Sequence, residues 1–261
     1  DPGTGKAFIS PLDRARRQDD LLMTDQAQRI GEDSDTLGIS VAKILSPSLN
    51  EEKLRNCLQS LKKRGVKLVY WAIDSHDHTA KQAALACDGF LADKKITYLL
   101  DLRSLNLAFP YADVEIYPAQ IASPELEGIA LEIAQLSRFS NDPKLSTEQA
   151  NTLYKAWINN ACQKVAAKIV LVIKKQETII GMLSIDEKRR RGDLSLLGVA
   201  PDYQGQGLGK RLVYAALAWC IAQNYSFSQV VTHKANVKAR HLYETCGFTQ
   251  EKMEYFYHFW L

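Results

Sequence analysis

From residue 38 onward the chain alternates short, continuously apolar runs with longer segments in which apolar residues recur every three or four positions. The first pattern suits buried strands and the second amphipathic helices. "GISVAKIL" reads as a strand. The segment "SLNEEKLRNCLQSLKKRG" reads as a helix, with Leu54, Leu58 and Leu61 on one side, Ser48 and Glu51 at capping-box spacing, and Gly65 at its end. "VKLVYWAI" is a second strand, "HTAKQAALACDGF" a helix closed by Gly89, and "KKITYLLDL" a third strand. A β-α-β-α-β unit over residues 38–102 favours parallel strands joined by helical crossovers.

"RSLNLAFPYAD", with Pro110 near its end, is the best boundary, dividing the chain into residues 1–110, which open on a polar leader over 1–30, and residues 111–261. The second pattern starts with strand "DVEIYPA". Two helices follow, one with Ser123 as cap and Pro124 at its first position, the other with Ser146 and Gln149 at capping-box spacing. "AKIVLVIKK" and "TIIGMLSIDEK" flank the turn "QE", and "RRRGD" turns into "LSLLGVA". A glycine-rich loop then opens the helix "LGKRLVYAALAWCIAQN", followed by strand "QVVTH", helix "NVKARHLYETCGF" and the aromatic strand "EKMEYFYHFWL". The expected class is α/β, or α+β: a mixed twisted sheet flanked by helices. When Gly89-Phe90 is set against Gly247-Phe248, residues 38–102 overlay 193–260 in element order. Leu85 then falls opposite Tyr243, and the glycine-free "SPSLNE" opposite the glycine loop. The first half is then either a partial, degenerate copy of the second or an ordinary β-α-β unit of similar order.

Composition narrows the chemistry. Lys and Arg number 33 against 30 Asp and Glu, a net charge of +3, which is too small for a chain-wide nucleic-acid footprint, so any anion site is local. Five cysteines without a C-x-x-C pair suit reduced thiols, and no run has signal-peptide or membrane-spanning length, which suggests a soluble cytoplasmic protein. "GTGK" near the start lacks the spacing and flanking elements of a P-loop. His76 and His78 with Asp74 and Asp77 sit where a helix begins and read as capping, so no metal is expected. Lys188–Arg191 reads as an exposed hairpin tip.

The stretch "VAPDYQGQGLGKRLV" concentrates the chemistry. A strand that runs through a side-chain-free loop into a helix leaves backbone N–H groups aimed at one point, at the positive end of the helix dipole. Gly205, Gly207 and Gly209 would let a pyrophosphate approach that backbone. The third glycine comes one residue too early for a dinucleotide fingerprint, and neither Ser nor Thr follows Lys210 as a P-loop requires. Gln204 to Gly209 does satisfy [QR]-x-x-G-x-[GA], and Asn236 to Phe248 reads N-x-x-A-x-x-x-Y-x-x-x-G-F.

With these two motifs, in this order, residues 111–261 resemble the GNAT acetyltransferase superfamily. The resemblance implies an acetyl-CoA-dependent N-acetyltransferase, with the cofactor held by Leu197, Val199, Gln204, Gly205, Gln206, Gly207, Leu208, Gly209, Lys210 and Asn236. It implies that the Val199 N–H meets the acetyl carbonyl and that Tyr243 protonates the departing thiolate. The base stays open among His233, Asp186, Glu187 and Asp193. "DSDTLGISVAKI", "LSRFSNDPKL" and "LYKAWINNA" are similar to the branch that acetylates nucleotide-linked 4-amino-4,6-dideoxy sugars, the TDP-fucosamine type, although Thr36-Leu37 stands where that branch tends to have two phenylalanines. The acceptor would then meet Arg138, Phe139, Tyr154 and Trp157, residues whose alternative role is helix packing. Another amine acceptor, or a coenzyme-A-binding module without turnover, are the alternatives. Neither nucleic acid nor membrane is an expected partner, and the last strand could form either a homodimer interface or core.

Overall fold

The computed structural model describes residues 22–111 and 113–261; the "GTGK" stretch lies outside them. In chain order the elements are β1 (Leu22–Thr24), β2 (Ala27–Arg29), α1 (Gly31–Leu37), β3 (Val41–Ile44), α2 (Glu51–Lys63), β4 (Leu68–Asp74), α3 (His78–Ala86) and β5 (Phe90–Asp101). Then come β6 (Val114–Ile116), α4 (Pro124–Ala134), α5 (Arg138–Asn141), α6 (Thr147–Cys162), β7 (Ile169–Lys175), β8 (Thr178–Lys188), β9 (Arg191–Val199), α7 (Leu208–Ala222), β10 (Phe227–His233), α8 (Val237–Thr245) and β11 (Thr249–Trp260). Residues 22–29, part of the stretch read as leader, thus form the β1–β2 hairpin.

Local chemistry explains most element ends. Ser123, and Ser146 with Gln149, cap α4 and α6 as expected, and Asn236 caps α8. At α2 the cap is Asn50, whose side chain accepts from the Lys53 N–H, and not Ser48. Asp77 caps α3 and Asp74 accepts the His76 N–H, so these acids serve the helix start. Arg189 and Arg190 both have positive φ in the two-residue turn between β8 and β9, which matches the twist of the hairpin.

All eleven described strands join one sheet, in the order β1-β2-β3-β4-β11-β5-β10-β9-β8-β7-β6. Only β3–β4 and β9–β10 pair in parallel. The last strand of each half crosses into the other: β11 lies between β4 and β5, and β5 between β11 and β10. With both edges bonded and Tyr257 and Phe259 buried, the aromatic strand β11 is core. One hydrophobic cluster, beneath α1, α4 and α6, mixes Val41, Leu68 and Tyr70 of the first half with Val172, Met182 and Leu196 of the second. On the opposite face α2 and α3 cover the first half, and α7 and α8 the second.

A shift of 159 residues carries β4 onto β10 and α3 onto α8. The same shift turns the pairing Asp74↔Glu254 into Lys95↔His233 and leaves Lys95↔Glu254 mapped on itself, so a local two-fold axis passes through that pair. The bulges at Ala92 and Glu251 are likewise related. Asp88, at φ 58°, holds the left-handed position that Gly247 holds at φ 93°, and Gly89 donates to Ala84 as Phe248 does to Tyr243. Tyr243 therefore corresponds to Ala84, and the alignment with Leu85 is one residue out. From β3 to β9 the shift is only 150 residues, because β9 continues for Ser195–Val199 before its loop.

A buried network fastens β11 to the chain after α5. Asp142 accepts from His258 Nδ1 at 2.7 Å, from Trp260 Nε1 at 3.0 Å and from the Lys144 N–H at 2.9 Å. Burial lowers the pKa of His258. Burial would raise that of Asp142, but its three donors outweigh this and hold it below the usual carboxylate range. Asp142→Ala leaves two buried donors unpaired, at about 1–3 kcal/mol each, and the expected loss is roughly 10 °C in melting temperature. Both shifts mean that the folded state binds fewer protons than the unfolded chain in acid. The stability they contribute is complete above the unfolded histidine's pKa, near ~6.5, and is lost below it. Urea midpoints measured at falling pH should therefore drop in the wild type, and just below pH ~6.5 more steeply in Asp142→Ala, because Asp142 raises the His258 pKa and its loss leaves the buried imidazole still harder to protonate.

Candidate active site

The sheet opens between β9 and β10. They pair only from Ser228↔Gly192 to Val230↔Leu194; beyond this point β10 stays with β5 as far as His233↔Lys95, while β9 stays with β8 as far as Val199↔Gly181. A register break between Leu183 and Ile185, where the Ser184 hydroxyl takes the Leu196 N–H, bends β9 away. The N–H groups of Leu196 and Ala200 point towards β8. By strand alternation those of Leu197 and Val199 face the gap. A cleft of ≈ 1460 Å³ occupies it, running from the glycine loop past Leu197 and Val199 to Tyr154 and Trp157.

The three glycines do two different jobs. Gly205 and Gly207 are left-handed, at φ 76° and 77°, and a Cβ on either would meet no described atom within 4 Å, so the space above the loop is open. A Cβ on Gly209 would lie 3.2 Å from Leu242, so this residue lets α8 approach α7. Gly207 precedes α7 without a side-chain cap, and the first bond there is Arg211 N–H to Gly207 O. The preceding N–H groups therefore face the open space at the positive helix end. An open cradle bounded by Lys210 suits a diphosphate. Gln204 turns back, its Nε2 donating to Val199 O at 3.1 Å, and Gln206 likewise bonds Asp202 O, so both side chains brace the loop. Asn236 lines the cleft while capping α8.

Tyr243 lines the cleft from α8, 5% exposed, with its ring 6.3 Å from Tyr98 and 6.0 Å from Phe248. Burial raises the phenol's pKa above that of a free tyrosine, so it keeps its proton at neutral pH.

Among the open base candidates, Asp193 is occupied: it accepts from Lys188 at 2.6 Å, Ser195 at 2.8 Å and Gln229 at 2.8 Å. Glu187 takes the Tyr225 hydroxyl at 2.8 Å and lies outside the cleft lining, which Asp186 joins. His233 lines the cleft, and its Nδ1 is 2.5 Å from Asp93 Oδ2, a partner that sequence reasoning missed. Lys95, opposite His233, also lines the cleft; burial, with Arg138 nearby, lowers its pKa to about 7.

The four residues assigned to the acceptor separate. Tyr154 and Trp157 line the cleft with ring centroids 4.8 Å apart, and burial raises the Tyr154 pKa to about 12. Phe139 is 1% exposed, packed behind them against Trp157, Tyr70 and His258, and does not reach the cleft. Arg138 lies outside the lining too, its guanidinium over Tyr70 at 4.6 Å and Phe139 at 4.4 Å. Glu32, Asp35, Glu132 and Asn160 also line the cleft; Asn160 donates to Glu32 at 2.6 Å and Arg29 pairs with Asp35 at 3.0 Å.

The parted strand pair thus has an open glycine loop at one mouth and the Tyr154 and Trp157 rings at the other. Residues 131–248 match the Acetyltransferase (GNAT) family. The chain thus carries a GNAT acetyltransferase domain, a family whose general donor is acetyl-CoA. It is 32% identical over 124 residues to the Bacillus subtilis spore coat polysaccharide biosynthesis protein SpsD, covering 48% of this chain and 43% of that one. It is 29% identical over 126 residues to the Vibrio cholerae spermidine N(1)-acetyltransferase, covering 44% and 66%. The chain thus spans under half of the length of SpsD and just under two thirds of the Vibrio enzyme. A GCN5-related N-acetyltransferase from Kribbella flavida has the same fold over 97% of this chain and 96% of its own, with a TM-score of 0.58 at 11% identity. No helix among the described residues is long and apolar enough to cross a membrane.

Proposed function

We propose that the chain is an acetyl-CoA-dependent N-acetyltransferase whose acceptor is a nucleotide-linked 4-amino-4,6-dideoxy sugar. The observation that carries this reading is the opening between β9 and β10, with the glycine loop and Tyr243 at one end and Tyr154 and Trp157 at the other. The Gly205–Lys210 backbone would hold the diphosphate of coenzyme A, and the Val199 N–H would polarise the thioester carbonyl and stabilise charge developing on its oxygen. Tyr243 would protonate the departing sulfur.

Aromatic walls suit a sugar ring. The similarity to a polysaccharide-biosynthesis protein supports the sugar reading, and so does the bond from Asn160 to Glu32, which holds α1, the start of one segment resembling the amino-sugar branch, beside α6, which carries another. A second reading, a polyamine acceptor, draws on Glu32, Asp35 and Glu132 in the cleft lining and on the similarity to the spermidine enzyme. Thiol release from acetyl-CoA decides between them. Turnover with TDP-4-amino-4,6-dideoxygalactose should exceed that with spermidine or a lysine peptide at least tenfold; the reverse order would reject the sugar.

We further infer that residues 1–110 contain a degenerate copy of the catalytic half, as the shared registers suggest. What that copy lacks is the strand extension equivalent to Ser195–Val199 as well as the glycines, so it has no opening for coenzyme A.

A further inference from the structure

We infer that Asp93 and His233 form the device that removes the proton from the acceptor amine, and that the first half of the chain belongs to the active site because it supplies Asp93. This inference rests on the acetyltransferase reading above.

The two sides of the parted sheet carry different chemistry. Tyr243 belongs to the cluster beneath α7 and α8, on the face where the glycine loop lies. Strand alternation puts His233 on the opposite face from Val230, which packs into that cluster, and so on the side of α4 and α6 with Tyr154 and Trp157. An acetyl transfer needs this separation, with an acid beside the sulfur and a base beside the nitrogen.

Asp93 and His233 are well placed to act as a unit. Their side chains are 6% and 14% exposed, and Asp93 Oδ2 lies 2.5 Å from Nδ1. A carboxylate at that distance keeps the shared proton on Nδ1, leaves the Nε2 lone pair as acceptor, and stabilises the imidazolium once formed. The other ionisable groups lining the cleft near His233 are Lys95 from β5, Asp186 and Lys188 from β8, Asp193 from β9, and Lys238 and His241 from α8. Asp193 is held by Lys188, and Asp93 is the carboxylate bonded to His233.

In the proposed step the acceptor enters as an ammonium, and Nε2 takes one proton, which later passes to solvent. The freed lone pair forms the C–N bond as the C–S bond breaks. The sulfur takes a proton from Tyr243, which is reprotonated with the second proton lost by the nitrogen. One amide, one thiol and one solvent proton result. Asp93 is a positioning residue in this scheme: it comes from β5, a strand that enters the second half only because the two halves exchange their last strands.

The test compares wild type, His233→Gln, Asp93→Asn and Lys95→Met, using acetyl-CoA with TDP-4-amino-4,6-dideoxygalactose and with spermidine as probes across pH. His233→Gln should lose about 10²–10⁴-fold in kcat near neutral pH, with acetyl-CoA affinity unchanged, and recover as the pH approaches that at which the acceptor amine deprotonates itself. Asp93→Asn should lose at least about tenfold, and its ¹⁵N imidazole spectrum should show loss of the Nδ1–H tautomer that dominates in wild type. Wild-type rates in His233→Gln, a loss in Lys95→Met alone, or an unchanged tautomer in Asp93→Asn would each overturn the proposal. No turnover by the wild type with any amine would instead reject the acetyltransferase reading, while the tautomer measurement would still report on the pair.

Discussion

Tyr243→Phe should reduce kcat by about 10²–10⁴-fold while leaving acetyl-CoA affinity and thermal stability near wild type. The substitution removes one oxygen and keeps the ring that packs between Tyr98 and Phe248, so the wall of the cleft is preserved. The effect should be on kcat because the proton is needed only when the thiolate departs. Burial holds the phenol protonated through neutral pH, so the activity it supports should not decline below pH ~9 through its own ionisation. Steady-state kinetics with thiol detection checks this, and an unchanged kcat would remove Tyr243 from the chemistry.

Gly207→Val should weaken acetyl-CoA binding at least 100-fold, with a smaller cost in stability. The residue sits at φ 77°, where a β-branched side chain costs about 1–2 kcal/mol, and its Cβ would stand in the open space where the cradle would receive a diphosphate. Gly209→Val should act differently, because its Cβ would press on Leu242 and disturb the α7–α8 contact; its main effect is expected on melting temperature. Isothermal titration beside thermal melts separates the two. Equal binding losses in the two variants would mean that the loop responds to general distortion, not to blocked approach.

The features legible in the sequence were those whose causes are local. The glycines ahead of α7, Ser123 and Ser146 at helix starts, and the continuous apolar runs of β7 and β8 all follow from neighbours along the chain. What stayed hidden depends on pairing across the fold. β5 begins at Phe90, but Asp93, Lys94 and Lys95 interrupt its apolar pattern; Asp93 and Lys95 are polar because they face His233 and the cleft, which sequence spacing cannot reveal. Ser48 fits a capping-box pattern, yet the chain turns two residues later at Asn50, an equally good cap. Asp88 fills a left-handed site that a search for glycine passes over, which shifted the comparison of the halves by one residue. Phe139 has the composition of a binding residue and the position of a core one; only its burial distinguishes the two.

The strand exchange ties the first half to the cleft although its own loop carries no glycines. Through β5 it completes the sheet beside β10, places Lys95 at the cleft and Asp93 against His233, and through α1 it buttresses α6, which carries Tyr154 and Trp157. Coenzyme A is proposed to enter the opening between β9 and β10. Amide hydrogen exchange with and without acetyl-CoA tests it most directly, because it needs no knowledge of the acceptor. Protection confined to the Leu197, Val199 and Gly205–Lys210 amides is the expected result; binding without protection there, or no binding at millimolar acetyl-CoA, would contradict it.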